Sequence, residues 1–156
     1  MKNLNPEKTF NSKLSSKIVR GLVFGVFDNL HPGHEFFLSE TAKECDELVV
    51  VVTLPEVADL LKGKLPKKSL EERISDVKDF FTSEHLLGRN GIDMQFSVVA
   101  GDKEIGSWKV LKEYKPDVIF LGYDQQGIAK ELDKLSFSYK FVASYQPEKY
   151  KSSLRK

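Results

Sequence analysis

Five short apolar runs, separated by segments of helical period, set the tightest limit on how this chain can fold. The runs are 18–27 (IVRGLVFGVF), 48–53 (LVVVVT), 95–100 (QFSVVA), 118–121 (VIFL) and 139–143 (YKFVA). Valine, isoleucine and phenylalanine suit the pleated surface of a strand. A run that is apolar at nearly every position fits a strand covered on both faces, as in a parallel sheet. Between the runs, 33–44 carries Phe36, Phe37, Thr41 and Ala42 on one face, which Cys45 closes as a small buried hydrophobe. The segment 69–81 opens with Ser69 and Glu72 at capping-box spacing. Its apolar face is Leu70, Ile74, Val77, Phe80 and Phe81, and Arg73 falls on the polar side. In 105–114, Trp108, Leu111 and Tyr114 share a side, with Trp108 read as core packing. A weaker pattern fills 125–135, with Gly127 early in it. The stretch 82–93 reads as a loop, with Gly88 and Asn90-Gly91 as turn signals and His85 exposed. Strands alternating with helices of this length imply βαβ units. Right-handed crossovers then give an α/β, doubly wound (Rossmann-like) five-stranded parallel sheet flanked by helices.

At 156 residues the chain has room for one such domain, placed at 17–156 behind a polar N-terminal arm at 1–16. The arm lacks an apolar core, so it is not read as a secretory leader. The 24 basic and 23 acidic side chains nearly cancel, which excludes the charge asymmetry of a dedicated nucleic-acid binder. No apolar run approaches the roughly 20 residues of a membrane span. One cysteine excludes an intramolecular disulfide framework. The expectation is a cytoplasmic protein with neither membrane nor nucleic-acid partners.

In doubly wound folds, ligands sit beyond the carboxyl ends of the strands. That rule points to the stretch after the first strand, Gly25-Val26-Phe27-Asp28-Asn29-Leu30-His31-Pro32-Gly33-His34. Proline fits the first turn of a helix, and Gly33 allows a ligand close to the backbone. His31 and His34 flank this helix start, where unpaired N–H groups and the positive end of the helix dipole favour an anion such as a polyphosphate. Two other readings stand beside this one. The imidazoles can be plain surface side chains, or they can hold a metal with Asp28 or Glu35. The intervening Pro-Gly favours the phosphate-cradling turn. Neither a Walker loop nor a dinucleotide fingerprint occurs in the chain.

FGVFDNLHPGH resembles the G-x-F-D-x-x-H-x-G-H motif of the cytidylyltransferase-like nucleotidyltransferases. The resemblance runs from about residue 18 to the C-terminus. The LGYDQ stretch at 121–125 is most similar to the archaeal-type FAD synthase (FMN adenylyltransferase) branch. Lys62-Gly-Lys64 followed by Ser69-Leu-Glu-Glu-Arg73 resembles the family's lysine loop and arginine helix, and Lys151-Ser152-Ser153 its phosphate-contacting turn. The resemblance implies transfer of a nucleoside monophosphate from an NTP to a phosphate-bearing small molecule, with release of pyrophosphate. It implies His31, His34, Lys64 and Arg73 as catalytic residues. Gly25, Val26, Phe27, Gly33, Gly122, Tyr123, Asp124, Ser152 and Ser153 would bind nucleotide, and Asp28, Lys62 and Lys64 the acceptor. Mg²⁺ would be held through the NTP phosphates, with no protein ligand assigned.

Simpler roles compete at several of these positions. Lys62, Lys64, Lys67 and Lys68 can be a solvated charge run. Arg73 can pair with a surface carboxylate, Asp124 can only cap the following helix, and Ser152-Ser153 can be an ordinary cap. Val26 stands where many members carry Thr or Ser, and Gln146-Pro147 where the cytidylyltransferase branch has an arginine. A CTP-dependent enzyme acting on glycerol 3-phosphate, a catalytically silent nucleotide-binding module and a metal-dependent hydrolase stay open as alternatives, as does a homodimer. Two basic clusters, 62–73 and 149–156, are expected to converge on the histidine turn of an otherwise neutral surface.

Overall fold

The computed structural model describes residues 18–142. The expectations for the 1–16 arm, for Gln146 and Pro147, for the 149–156 basic cluster and for Ser152 and Ser153 lie outside the described residues.

Strand β1 (Arg20–Gly25) leads through α1 (Pro32–Ala42) to β2 (Glu47–Val52). Helices α2 (Pro55–Lys62) and α3 (Leu70–Glu84) precede β3 (Gln95–Ala100). Then come α4 (Lys109–Tyr114), β4 (Val118–Leu121), α5 (Gln126–Leu135) and β5 (Tyr139–Phe141). The sheet order is β3-β2-β1-β4-β5, and every pairing is parallel. The expected five-stranded doubly wound sheet is therefore present. No helix among the described residues is long and apolar enough to cross a membrane.

The apolar runs alternate between two cores, because successive strand side chains point to opposite faces. Val23, Leu48, Val50 and Val52 pack with Leu38, Ala42, Val77 and Phe81, from α1 and α3. Leu22, Val49, Val51, Ile119 and Leu121 pack with Val110, Leu111, Ala129 and Leu132, from α4 and α5. Four consecutive valines in β2 thus serve both layers. Gly21 brings β1 close to its neighbours, since a Cβ there would sit 2.5 Å from the Phe120 ring and 3.2 Å from Cys45 Sγ. Cys45 is buried as expected, and burial pushes its thiol up to about 12.

Local differences from the sequence reading have identifiable causes. The first strand ends at Gly25 rather than running to Phe27, because Phe27 and Asn29 take left-handed backbone (φ 52° and 67°). Helix α2 has no counterpart in the sequence-based expectation and lies just ahead of the lysine run. Its signals are Pro55 at the first turn, Glu56 beside the helix N-terminus and Gly63 in the left-handed cap position (φ 80°). The Ser69–Glu72 capping box forms as read, with both bonds made. Helix α4 starts at Lys109, not 105. Trp108 turns left-handed ahead of it, and the Asp102 carboxylate accepts from Lys109 and Val110 N–H at 2.8 and 3.4 Å. Trp108 packs edge-on against Phe24, with centroids 5.8 Å apart, in keeping with a core role.

The chain winds outward from β1 through β2 to β3, then returns to β4 and β5 on the other side of β1. The carboxyl ends of β1 and β4 therefore flank the point where the winding reverses. That is where such sheets hold ligands.

Candidate active site

The turn between β1 and α1 lies at this reversal. His31 is the N-cap of α1, with extended backbone (φ −136°, ψ 172°). Its Nδ1 accepts from the N–H of Gly33 at 3.0 Å and of His34 at 3.4 Å. Those amides are thus occupied by an imidazole, which corrects the expectation of unpaired N–H groups at this helix start. The geometry also fixes a tautomer. With Nδ1 as acceptor, neutral His31 carries its proton on Nε2, a hydrogen-bond donor on the far side of the ring.

His34 lies one turn into α1, and its ring stacks on His31, with centroids 3.9 Å apart and planes 21° from parallel. Burial, the neighbouring His31 and the Lys62 charge lower its basicity to about 4. His34 is therefore neutral at physiological pH. Its Nδ1 is buried without a hydrogen-bond partner among the described residues. Phe27 meets His34 edge-on at 5.6 Å and is itself buried. The Phe27 side chain therefore packs against the histidine. Gly25 makes this possible: a Cβ there would sit 2.6 Å from the Phe27 ring.

Asp28, an expected acceptor-binding residue, is engaged by backbone amides. One carboxylate oxygen accepts from Lys67 N–H at 2.8 Å and the other from Lys68 N–H at 3.0 Å. Burial pushes this carboxyl up. The two amide donors and the Arg73 and Lys67 charges outweigh that effect and hold it below the usual carboxylate range. Asp28 is a staple joining the histidine turn to the loop that follows α2.

Arg73 differs from its expected placement. It is fully buried rather than on the polar side of its helix. Its Nη1 donates to Val26 O at 2.9 Å and Thr53 O at 2.8 Å, and its Nε to Lys68 O at 3.2 Å. The guanidinium thus gathers the carboxyl ends of β1 and β2 and the lysine loop. Its Nη2 is buried without a partner among the described residues. All three of these Arg73 bonds go to backbone carbonyls. Val26 takes part through its carbonyl, so a hydroxyl at that position is not needed for this contact.

Lys62 ends α2, and Lys64 follows Gly63; both are exposed. The influence of Lys62 on His34 places its charge within electrostatic reach of the histidine turn. Lys68 Nζ pairs with Asp76 at 2.7 Å, so this lysine of the run is tied to α3. On the other side of β1, Gly122, Tyr123 and Asp124 form the loop after β4. Gln125, not Asp124, is the N-cap of α5, and no side chain caps that helix. Tyr123 and Asp124 are exposed.

The sequence reading gave Gln125 no role, yet it is engaged at the centre of the site. Its Oε1 accepts from Gly122 N–H at 2.9 Å, and its Nε2 donates to Phe24 O at 3.0 Å. Those partners lie at the ends of β4 and β1, 101 residues apart in the case of Phe24. Only the LGYDQ stretch itself carried a signal for it.

The chain is similar to known proteins in sequence and in fold. The cytidylyltransferase-like family profile matches residues 22–155. An FAD synthase from Thermococcus sibiricus is 32% identical over 144 residues, which cover 90% of this chain and 88% of that protein. An FAD synthase from Aciduliprofundum boonei is 37% identical over 117 residues, covering 75% and 69% respectively. Among solved structures, a lipopolysaccharide core biosynthesis protein from Thermoplasma volcanium superposes with a TM-score of 0.62 at 29% identity. That match covers 83% of this chain and all of the other.

Proposed function

The chain belongs to the cytidylyltransferase-like family and is a nucleotidyltransferase, and from this footing we propose that it transfers the adenylyl group of ATP to FMN, forming FAD and pyrophosphate. The observation that carries the reading is the stacked His31–His34 pair at the start of α1, beside the reversal point of the sheet. A terminal phosphate oxygen of the acceptor attacks the α-phosphorus of the triphosphate, and pyrophosphate departs. Such a reaction asks the protein to hold two anions in line and to offset charge that builds on the phosphates.

Each residue then has a task. His31 donates from Nε2 to a phosphate oxygen, and neutral His34, raised on the Phe27 ring, adds a second imidazole beside it. Exposed Lys62 and Lys64 supply positive charge at the end of α2. Asp28 and Arg73 hold the lysine loop against the histidine turn without touching substrate. Gly122 to Asp124 border the nucleotide from the β4 side. The donors around the turn are N–H groups, which suit phosphate, and both Asp28 oxygens are taken by amides. Mg²⁺ would therefore be held by the phosphates themselves, where it neutralises their charge. The setting for this chemistry is the cytoplasm.

The test is a grid of ATP, CTP, GTP and UTP against FMN, glycerol 3-phosphate, phosphopantetheine and phosphoethanolamine, read by pyrophosphate release with Mg²⁺ present. Release is expected with ATP and FMN. Release only with CTP and glycerol 3-phosphate replaces the reading with a cytidylyltransferase. Tight nucleotide binding without release in any combination replaces it with a silent module.

A further inference from the structure

The two flanks of β1 end differently. Toward β2, pairing runs through Phe24↔Val51 and Gly25↔Val52, and Thr53 N–H still donates to Gly25 O at 2.9 Å. Toward β4, pairing stops at Val23↔Phe120. Carbonyls alternate sides along a strand. The Gly25 carbonyl faces β2, so the Phe24 carbonyl, one residue earlier, faces β4. In a continuing parallel ladder, its partner would be the Gly122 N–H.

That bond is not made. The Gln125 amide stands between the two groups, taking the Gly122 N–H on Oε1 at 2.9 Å and giving its own N–H to Phe24 O at 3.0 Å. One direct bond has become two bonds through a side-chain amide that mimics a peptide unit. Both backbone groups are satisfied, and the strand ends are held apart by the width of that amide. Gly122 suits this arrangement, because a Cβ there would lie 3.2 Å from Asp124 Oδ1 and 3.9 Å from Gln125 Oε1.

We propose that Gln125 is a positioning residue whose amide is a wedge between β1 and β4, holding open the crevice that admits the nucleotide. This rests on the transferase reading for what enters the crevice, but not for the wedge itself. A residue of the same length that cannot both donate and accept removes the wedge. In Q125E the carboxylate faces the Phe24 carbonyl without a proton to share. Protonated, it again offers one donor and one acceptor, so acid should rescue it. Q125M keeps the length and loses both bonds.

The experiment measures the Kd of non-hydrolysable ATP and CTP analogues, kcat at saturating nucleotide, melting temperature, and hydrogen exchange at the Gly122 amide. At pH 7.5, Q125E and Q125M are expected to weaken nucleotide binding about tenfold or more, as loss of a buried polar pairing does. Turnover of the bound nucleotide is expected to change less than about threefold. The Q125E-to-wild-type ratio of Kd is expected to approach one as the pH falls to 5, whereas Q125M shows no such rescue. Gly122 exchange is expected to quicken in both variants at pH 7.5. Unchanged Kd in both variants overturns the proposal, as does a Q125E defect that acid does not relieve. Wild-type protein that binds neither analogue sinks the transferase reading instead. The wedge is then decided by Gly122 exchange, and unchanged protection in both variants overturns it. Should Q125M not fold, Q125E across the pH series decides alone.

Discussion

At the residue scale, the site is built from side chains that satisfy backbone groups before they meet any ligand. His31 caps its own helix, and His34 is held neutral by burial and by its neighbours. Removing one donor to a transition-state phosphate typically costs 10²–10³ in rate, or about 2.7–4 kcal/mol. His34→Ala is expected to lose at least ~100-fold in kcat with an unchanged far-ultraviolet spectrum. Wild-type pyrophosphate release from that variant would remove His34 from the mechanism. Arg73 answers to a different test. Arg73→Met leaves the carbonyls of Val26, Thr53 and Lys68 without the partner that joins them. Unsatisfied buried acceptors cost about 1–3 kcal/mol each, so about 3 kcal/mol or more of stability is expected to go, measured by urea unfolding. The histidines were legible in the sequence because their spacing and the Pro-Gly between them serve one turn. The burial of Arg73 was not. A helical wheel places an arginine outward by its charge, and only the three carbonyls brought together by tertiary structure reverse that.

At the scale of elements, the lysine loop is joined to the histidine turn by one carboxylate. Asp28 holds two successive amides across about 40 residues of chain, which fixes the loop far more firmly than its composition suggests. Asp28→Ala is expected to quicken tryptic cleavage after Lys64 and Lys67 several-fold and to lower the melting temperature. Equal cleavage rates in variant and wild type would show that the loop is held by something else. The strands and the α3 cap were readable because alternation, β-branching and the Ser69–Glu72 spacing are local signals. Helix α2 carries one lysine, Lys62, and its eight residues are too few for helical periodicity to stand out, although Pro55 and Gly63 mark both of its ends. Likewise Asp102 caps α4 from seven residues upstream, a distance at which spacing rules for helix starts give no warning.

For the whole molecule, acid sensitivity follows from two groups at the site, His34 and Asp28, whose titration is shifted downward. His34 takes a proton near its ordinary 6.5 when unfolded but only at about 4 when folded. Between those values the unfolded chain binds the additional proton, so stability is full above pH 6.5 and falls as pH drops toward 4. The loss is on the order of 3 kcal/mol. Asp28, held below 3.8, adds a second loss of the same sign as pH falls below that value. Urea midpoints are therefore expected to decline in two steps, and His34→Gln is expected to flatten the upper one. A wild-type midpoint constant from pH 7 to 4.5 would refute the assignment. The layered sheet could be inferred as a class from the sequence, whereas the unequal ends of β1 could not, because they depend on one amide reaching across from β4. The position of β1 also has a consequence for the order in which the chain is made. Strands β2 and β3 pair beside β1 within the first 100 residues, while β4 is not available until residue 118. During synthesis the future crevice side of β1 is thus a bare strand edge, the kind of surface that recruits other unfinished chains. The crevice is the last part of the central sheet to acquire its second wall, so any nascent chain halted before β4 lacks the site and carries an adhesive edge in its place.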